Sequence, residues 1–140
     1  MSEEISIGDR CHSCIPDPSF TGMDPEDVEL EFRSLAPSSL WKLEDGGNCL
    51  SRTFICRNWK AAIDTIQAVS DIAERKDMQH HPDIHLTNYR SLEIRVSTHA
   101  VGTLTPNDFK LARAIDRIKI DFSPKWLKAN PEALPIDAGK

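Results

Sequence analysis

Residues 84–97 read IHLTNYRSLEIRVS, and they decide the fold. Apolar side chains occupy every second position on both sides of a turn near Asn88-Tyr89-Arg90. The alternating positions are Ile84, Leu86, Leu92, Ile94 and Val96. A period of two is typical of strands that bury one face, so this stretch predicts an antiparallel hairpin with one apolar and one polar face.

A second hairpin is predicted upstream. Residues 40–43 and 50–57 look like strands, and Asp45-Gly46-Gly47 lies between them. An Asp-Gly pair between two such runs is a hairpin signal, because tight hairpin turns need residues that tolerate positive φ. The two hairpins together predict four antiparallel strands.

Three helices flank the hairpins. Asp24-Pro25-Glu26-Asp27 predicts a helix to about Leu35, because it combines a capping side chain, proline at the first helical position and acids near the positive helix end. Asn58 caps a second helix over residues 58–77, and Thr105-Pro106 opens a third. The predicted apolar faces are Ile63, Ile66, Val69 and Ile72 in the second helix, and Leu111, Ile115, Ile118 and Phe122 in the third.

The order of elements is helix, hairpin, helix, hairpin, helix. It predicts an α+β domain over residues 23–123, in which three helices cover one face of a four-stranded antiparallel sheet. Residues 1–22 are interpreted as a flexible N-terminal arm, and residues 124–140 as an irregular C-terminal tail. The uncovered sheet face is left polar, and chemistry is expected there.

The bulk properties narrow the class of protein. A length of 140 residues suits one domain, and a formal charge of −5 disfavours a direct nucleic-acid binder. No apolar run reaches the roughly 18 residues of a membrane span. The acidic start MSEEISIGDR resembles neither a secretory nor a transit peptide, so we expect a cytoplasmic protein without membrane contact.

The four cysteines do not indicate a disulfide framework. Cys49 and Cys56 fall in predicted strands, where free cysteine behaves as a small hydrophobe. Cys11 and Cys14 form one CxxC pair, whereas a structural zinc site usually takes two pairs. We therefore favour an unstructured arm over a zinc site.

Histidines carry the main chemical signal. His80, His81, His85 and His99 lie within twenty residues of one another. Histidine is the side chain whose ordinary pKa lies near neutrality, so such a cluster suits proton transfer or metal binding. On the residues alone, a metal site, acid–base catalysis and unrelated surface histidines all stay open.

Position in the predicted elements separates these histidines. If Leu92, Ile94 and Val96 face the core, the alternation directs His99 to the polar face. His85 is interpreted as a solvated strand residue. His80 and His81 precede Pro82, which disfavours helix before it, so they are expected on an exposed loop.

Asp108 has two interpretations. Thr105 and Asp108 have the spacing of a capping box, in which the acid reaches back to the first backbone amide of a helix. The same carboxylate could also orient a histidine.

One pattern resembles a known family. Lys76, His80-His81-Pro82, Tyr89, His99 and Asp108 reproduce in order and spacing the signature of the pterin-4a-carbinolamine dehydratases. The words Ser97-Thr98-His99 and Leu104-Thr105 also resemble it. The likeness covers roughly residues 24–122. Many members carry Glu where this chain has Lys76, and Glu74 or Asp77 are candidates to replace that carboxylate.

The resemblance implies an activity and a site. The reaction is the dehydration of 4a-hydroxytetrahydropterin to quinonoid dihydropterin, a step of tetrahydrobiopterin recycling, by a homodimer or homotetramer without metal or organic cofactor. The implied catalytic residues are His80, His81, His99 and Asp108. The implied substrate-binding residues are His80, His81, Pro82, Ser97, Thr98 and His99.

Two other functions remain open. Some relatives of the family act as dimerisation cofactors of a transcription factor or as assembly factors, so a non-enzymatic interaction role is the first alternative. A histidine-rich metallohydrolase site is the second.

Overall fold

A computed structural model of the protein describes residues 22–35, 41–98 and 103–133. Its sheet has four strands: β1 (Lys42–Glu44), β2 (Cys49–Ile55), β3 (Asp83–Thr87) and β4 (Ser91–Val96). All neighbours are antiparallel, in the order β1-β2-β4-β3, so each hairpin pairs internally and β2 joins β4 at the centre. The predicted four-stranded sheet is confirmed.

Both hairpin turns use left-handed backbone conformations. Asp45, Gly46 and Gly47 have φ of 53°, 71° and 94°, and Asn88 and Tyr89 have φ of 50° and 55°. Asp and Asn tolerate this region better than most residues, which explains why the turns occur there. The turn at Tyr89 places a bulky side chain in a conformation it adopts rarely.

The helices are α1 (Pro25–Arg33), α2 (Trp59–Ala73), α3 (Pro106–Asp116) and α4 (Pro124–Ala129), followed by a 3₁₀ turn at Pro131–Ala133. The Asn58 side chain accepts a hydrogen bond from the Ala61 amide at 2.9 Å, as the capping prediction requires. Asp24 stands at the cap position of α1, but its side chain accepts no helix amide. None of these helices is long and apolar enough to cross a membrane.

The core lies between one sheet face and the helices. Leu92, Ile94 and Val96 are fully buried, and the register places Phe54 beside Leu92 and Leu50 beside Val96 on the same face. From α3 the buried side chains are Asp108, Phe109, Leu111, Ala112 and Ile115. The alternation in residues 84–97 therefore predicts the inward face correctly. Cys49 and Cys56 are buried free thiols, as expected.

The apolar face predicted for α2 is wrong in part. The buried positions are Ala61, Ala62, Thr65, Val69 and Ala73, whereas Ile63 is exposed. Positions three apart rotate by about 60° relative to each other at 3.6 residues per turn. Ile63 and Ile72 therefore point to opposite sides of the helix, and the smaller side chains face the core.

The predicted irregular tail is wrong for residues 124–133. The Ser123 side chain accepts a hydrogen bond from the Trp126 amide, and Pro124 stands at the start of α4. Phe122 stacks on Trp126 with ring centroids 5.2 Å apart and meets Phe54 edge-on at 5.6 Å. Aromatic packing of this kind fixes the segment on the core. Residues 1–21 and 134–140 lie outside the described residues, so the flexible arm stays a prediction.

Candidate active site

His80 lies between α2 and β3 with a fully buried side chain. Its Nε2 is 2.5 Å from Oδ1 of Asp108, in the first turn of α3. A carboxylate only accepts hydrogen bonds, so Nε2 carries a proton and donates it. The sequence predicts an exposed loop at His80, and this prediction is wrong because Asp108 satisfies the ring inside the protein.

Asp108 serves both of its predicted purposes. Its Oδ2 accepts the Thr105 amide at 2.8 Å, the contact expected of a helix cap. The same oxygen accepts the Thr98 hydroxyl at 2.7 Å. Asp108 is itself fully buried, and its three donors compensate for the loss of water. One carboxylate thus joins the start of α3, the end of β4 and the histidine loop.

The loop that carries the histidines is anchored on both sides of its turn. Met78 is buried in the core, and Lys110 Nζ donates to the Asp77 carbonyl at 2.6 Å. Gln79 has φ of 43°, and its side-chain amide donates to the Glu74 carbonyl at 3.0 Å. The His80 amide donates back to Ala73, the last residue of α2. The loop is therefore held in one conformation by contacts other than those of His81.

His81 is the accessible histidine of the pair. Its side chain is 39% exposed, and its Nε2 lies 2.5 Å from Oε2 of Glu74 at the C-terminal end of α2. Glu74 therefore supplies a carboxylate next to the histidines, although Lys76 stands where many relatives of the family have Glu. Asp77, the other candidate, pairs with Arg75 instead. Nδ1 of His81 has no hydrogen-bond partner among the described residues.

The remaining predicted residues differ in exposure. His85 is exposed on β3, as expected. Pro82 and Ser97 are half-buried, but Thr98 is fully buried with its hydroxyl on Asp108. A hydroxyl held in this way has no access to substrate, so the side chain of Thr98 is not a substrate ligand. His99 lies outside the described residues, and its predicted place near His80 and His81 stays a prediction.

A buried ion pair was not predicted from the sequence. Arg52 lies on the core face of β2, and its Nη1 donates to Oδ1 of Asp116 at 2.8 Å. Trp41 Nε1 donates to the same oxygen at 2.8 Å. Burial raises the pKa of Asp116 above its ordinary value, against the opposing effect of Arg52 and Trp41, and burial lowers the pKa of Arg52. Asp116 is eight residues from Asp108, about 12 Å along a helix, so the pair is separate from the histidines.

The same structure bears on metal binding. Across residues 22–35, 41–98 and 103–133, no group of three His, Cys, Asp or Glu side chains is arranged to hold a metal ion. Cys11, Cys14 and His99 lie outside these ranges.

Comparisons with known proteins identify the family. Residues 21–118 match the family model described as pterin 4 alpha carbinolamine dehydratase. A putative pterin-4-alpha-carbinolamine dehydratase of Halorhodospira halophila is 33% identical over 81% of this chain and 98% of its own length. A protein of Stenotrophomonas maltophilia with the same name is 38% identical over 69% of this chain and 78% of its own.

Two further relatives add range and fold. The mitochondrial pterin-4-alpha-carbinolamine dehydratase 2 of Arabidopsis thaliana is 36% identical over 58% of this chain, and the match spans 43% of that protein. The crystal structure of a transcriptional coactivator/pterin dehydratase from Brucella melitensis superposes with a TM-score of 0.60 at 22% identity, covering 69% of this chain and 96% of that one. It supports the fold. From the family match and these identities, the chain belongs to the pterin 4 alpha carbinolamine dehydratase family, a family of hydro-lyases.

Proposed function

We propose that this protein dehydrates a 4a-hydroxytetrahydropterin to quinonoid dihydropterin and water by histidine acid–base catalysis. One observation carries the proposal: an accessible imidazole, His81, is held by the Glu74 carboxylate next to a loop fixed by the buried pair of His80 and Asp108. Such a loop supplies a proton-transfer group in a fixed place, as general acid–base catalysis requires.

The reaction needs two proton movements. The bond from C4a to its hydroxyl oxygen breaks as that oxygen receives a proton and leaves as water. The proton on N5 passes to a base, and its bonding electrons form the new C=N double bond. No electrons enter or leave overall. A positioned acid or base of suitable pKa contributes about 10²–10⁴-fold to the rate.

His81 is the first proton-transfer residue in this proposal. Because Glu74 accepts from Nε2, Nδ1 is the ring atom left to exchange a proton with the substrate. His99 is the second, by its family position, and follows Thr98 directly in the chain. Pro82 and Ser97 border the substrate.

His80 and Asp108 have a different place in the mechanism. Both side chains are fully buried and hydrogen-bonded to each other, so neither reaches a substrate from the position it holds. In this proposal they fix the backbone that presents His81. Proton transfer by His80 itself, which the family resemblance implies, is not part of the proposal.

The test is turnover of a 4a-hydroxytetrahydropterin by the purified protein and its variants. His81→Gln should lower kcat by about 10²-fold or more with an unchanged circular dichroism spectrum. His85→Gln is the matched control, since His85 is also an accessible histidine of the same sheet edge and should keep full activity. Some rate will persist in all samples because the substrate dehydrates slowly unaided. Equal kcat for His81→Gln and wild type would refute the assignment.

Three finer predictions belong to the same proposal. The product fits recycling of tetrahydrobiopterin, and the mitochondrial name of the Arabidopsis relative leaves the cytoplasmic location a prediction. A homodimer or homotetramer is expected, because among the described strands β1 and β3 each pair on one side only and open edges favour pairing with another subunit.

A protein-interaction role is the second candidate. The Brucella protein is named a transcriptional coactivator as well as a pterin dehydratase. In this chain Trp59 and Ile63 are exposed on α2, at 55% and 39%, and exposed apolar groups of this size favour protein contacts. A protein that is folded yet fails to accelerate dehydration would favour this role over the enzyme.

A further inference from the structure

Thr98 is the residue through which the end of β4 enters the buried network. It is fully buried, and its hydroxyl donates to Oδ2 of Asp108 at 2.7 Å. A hydroxyl has a single proton. The neighbouring Thr105 Oγ1, 2.9 Å away, must therefore be the donor in its contact with Thr98.

The direction of these hydrogen bonds makes a chain. Thr105 donates to Thr98, Thr98 donates to Asp108, and Asp108 accepts the Nε2 proton of His80 through its other oxygen. We infer that Thr98 is a positioning residue: its hydroxyl sets the orientation of the Asp108 carboxylate, which in turn sets the His80 ring and the loop that carries His81. The inference rests on the proposed function for its effect on catalysis.

Removal of the Thr98 hydroxyl should disturb both of its neighbours. Oδ2 of Asp108 would lose its 2.7 Å donor, and Thr105 Oγ1 would lose its acceptor. The Thr105 hydroxyl lies 3.4 Å from Oδ2, so it is the nearest replacement. The carboxylate would then turn toward Thr105, and Oδ1 would shift relative to His80 Nε2. A displacement of the order of 1 Å in a supporting group is enough to slow catalysis strongly.

The experiment compares three variants. Thr98→Val keeps the shape and removes the hydroxyl, whereas Thr98→Ser keeps the hydroxyl. Thr65→Val is the matched control, because Thr65 is also a buried threonine whose hydroxyl donates, here to the Ala61 carbonyl at 2.8 Å. Each variant is checked for folding by circular dichroism, and kcat and KM are measured. The His80 Nε2 proton is observed by NMR of histidine-labelled protein and assigned by its loss in His80→Gln.

The expected result separates positioning from simple stability. Thr98→Val should lower kcat by about 10- to 100-fold with little change in KM and should shift the His80 Nε2 resonance. Thr98→Ser should restore both to near the wild-type values, and Thr65→Val should change neither. If Thr98→Val does not fold, Thr98→Cys takes its place, since its thiol is only a weak donor.

Two results would overturn the inference. One is an unchanged His80 resonance in Thr98→Val, whatever the activity. The other is a loss of kcat in Thr98→Val that Thr98→Ser does not restore, because the hydroxyl would then not be the cause. A wild-type protein without dehydratase turnover would refute the proposed function instead. The His80 resonance would still decide whether Thr98 positions that ring.

Discussion

Replacing His80 by alanine should destabilise the protein far more than the same change at His81. The His80 ring is fully buried and is a donor to Oδ1 of Asp108. Its removal leaves a buried carboxylate oxygen without that donor, and breaking a buried pair of this kind costs about 3–5 kcal/mol. His81 and Glu74 are 39% and 65% exposed, and an exposed pair contributes about 0.5 kcal/mol.

The assay is urea unfolding followed by circular dichroism, with thermal melts alongside. A domain of this size is stable by about 5–15 kcal/mol, so His80→Ala should remove a large fraction of that stability and lower Tm by about 10–20 °C. His80→Gln, which keeps an N–H donor, should be less severe. In the double variant His80→Ala/Asp108→Ala the two losses should not add, because both remove one interaction.

The refuting result is specific. If His80→Ala unfolds within about 1 kcal/mol of wild type, the buried pair contributes little. His80 would then be available for direct proton transfer. If His80→Ala does not fold at all, the comparison of His80→Gln with His81→Gln keeps the question open to measurement.

Two further predictions concern the buried ion pair and the assembly. Burial raises the pKa of Asp116, so this group adds stability below its unfolded-state pKa and loses that contribution as the pH rises through its folded-state value. Arg52→Met/Asp116→Asn, which keeps an oxygen for Trp41, should therefore be as stable as wild type at neutral pH or up to about 4 kcal/mol more stable. Urea unfolding over a pH series should show this advantage shrinking as the pH falls, and a double variant less stable than wild type at neutral pH would contradict it. Light scattering at micromolar concentration should give a dimer or tetramer, and a strict monomer would count against the predicted assembly.

Periodicity predicted the fold because the sheet is read locally. In β4 the positions Leu92, Ile94 and Val96 are buried, and the same alternation continues inward to Thr98. Arg52 could have been found by this rule, since it lies between Leu50 and Phe54 on the core face of β2. A charged side chain at an inward position indicates a buried partner, and the partner, Asp116, is distant in sequence.

The site was only partly predictable. The capping role of Asp108 follows from local spacing to Thr105, and it is confirmed by the Thr105 amide contact. The burial of His80 does not follow from its neighbours, because it depends on a contact with a residue 28 positions away. The choice of Glu74 over Asp77 as the partner of His81 likewise depends on where α2 ends, which sequence patterns locate only to within a few residues.

The C-terminal segment changes where this domain can be cut. The family match ends at residue 118, yet Phe122 is buried against Phe54 and Trp126, and Ala133 is buried with the core. The Ser123 amide also donates to the Ile55 carbonyl, so the segment continues the hydrogen bonding at the end of β2. A shortened protein designed from the family boundary would expose aromatic surface, and fusion partners or purification tags belong after residue 133.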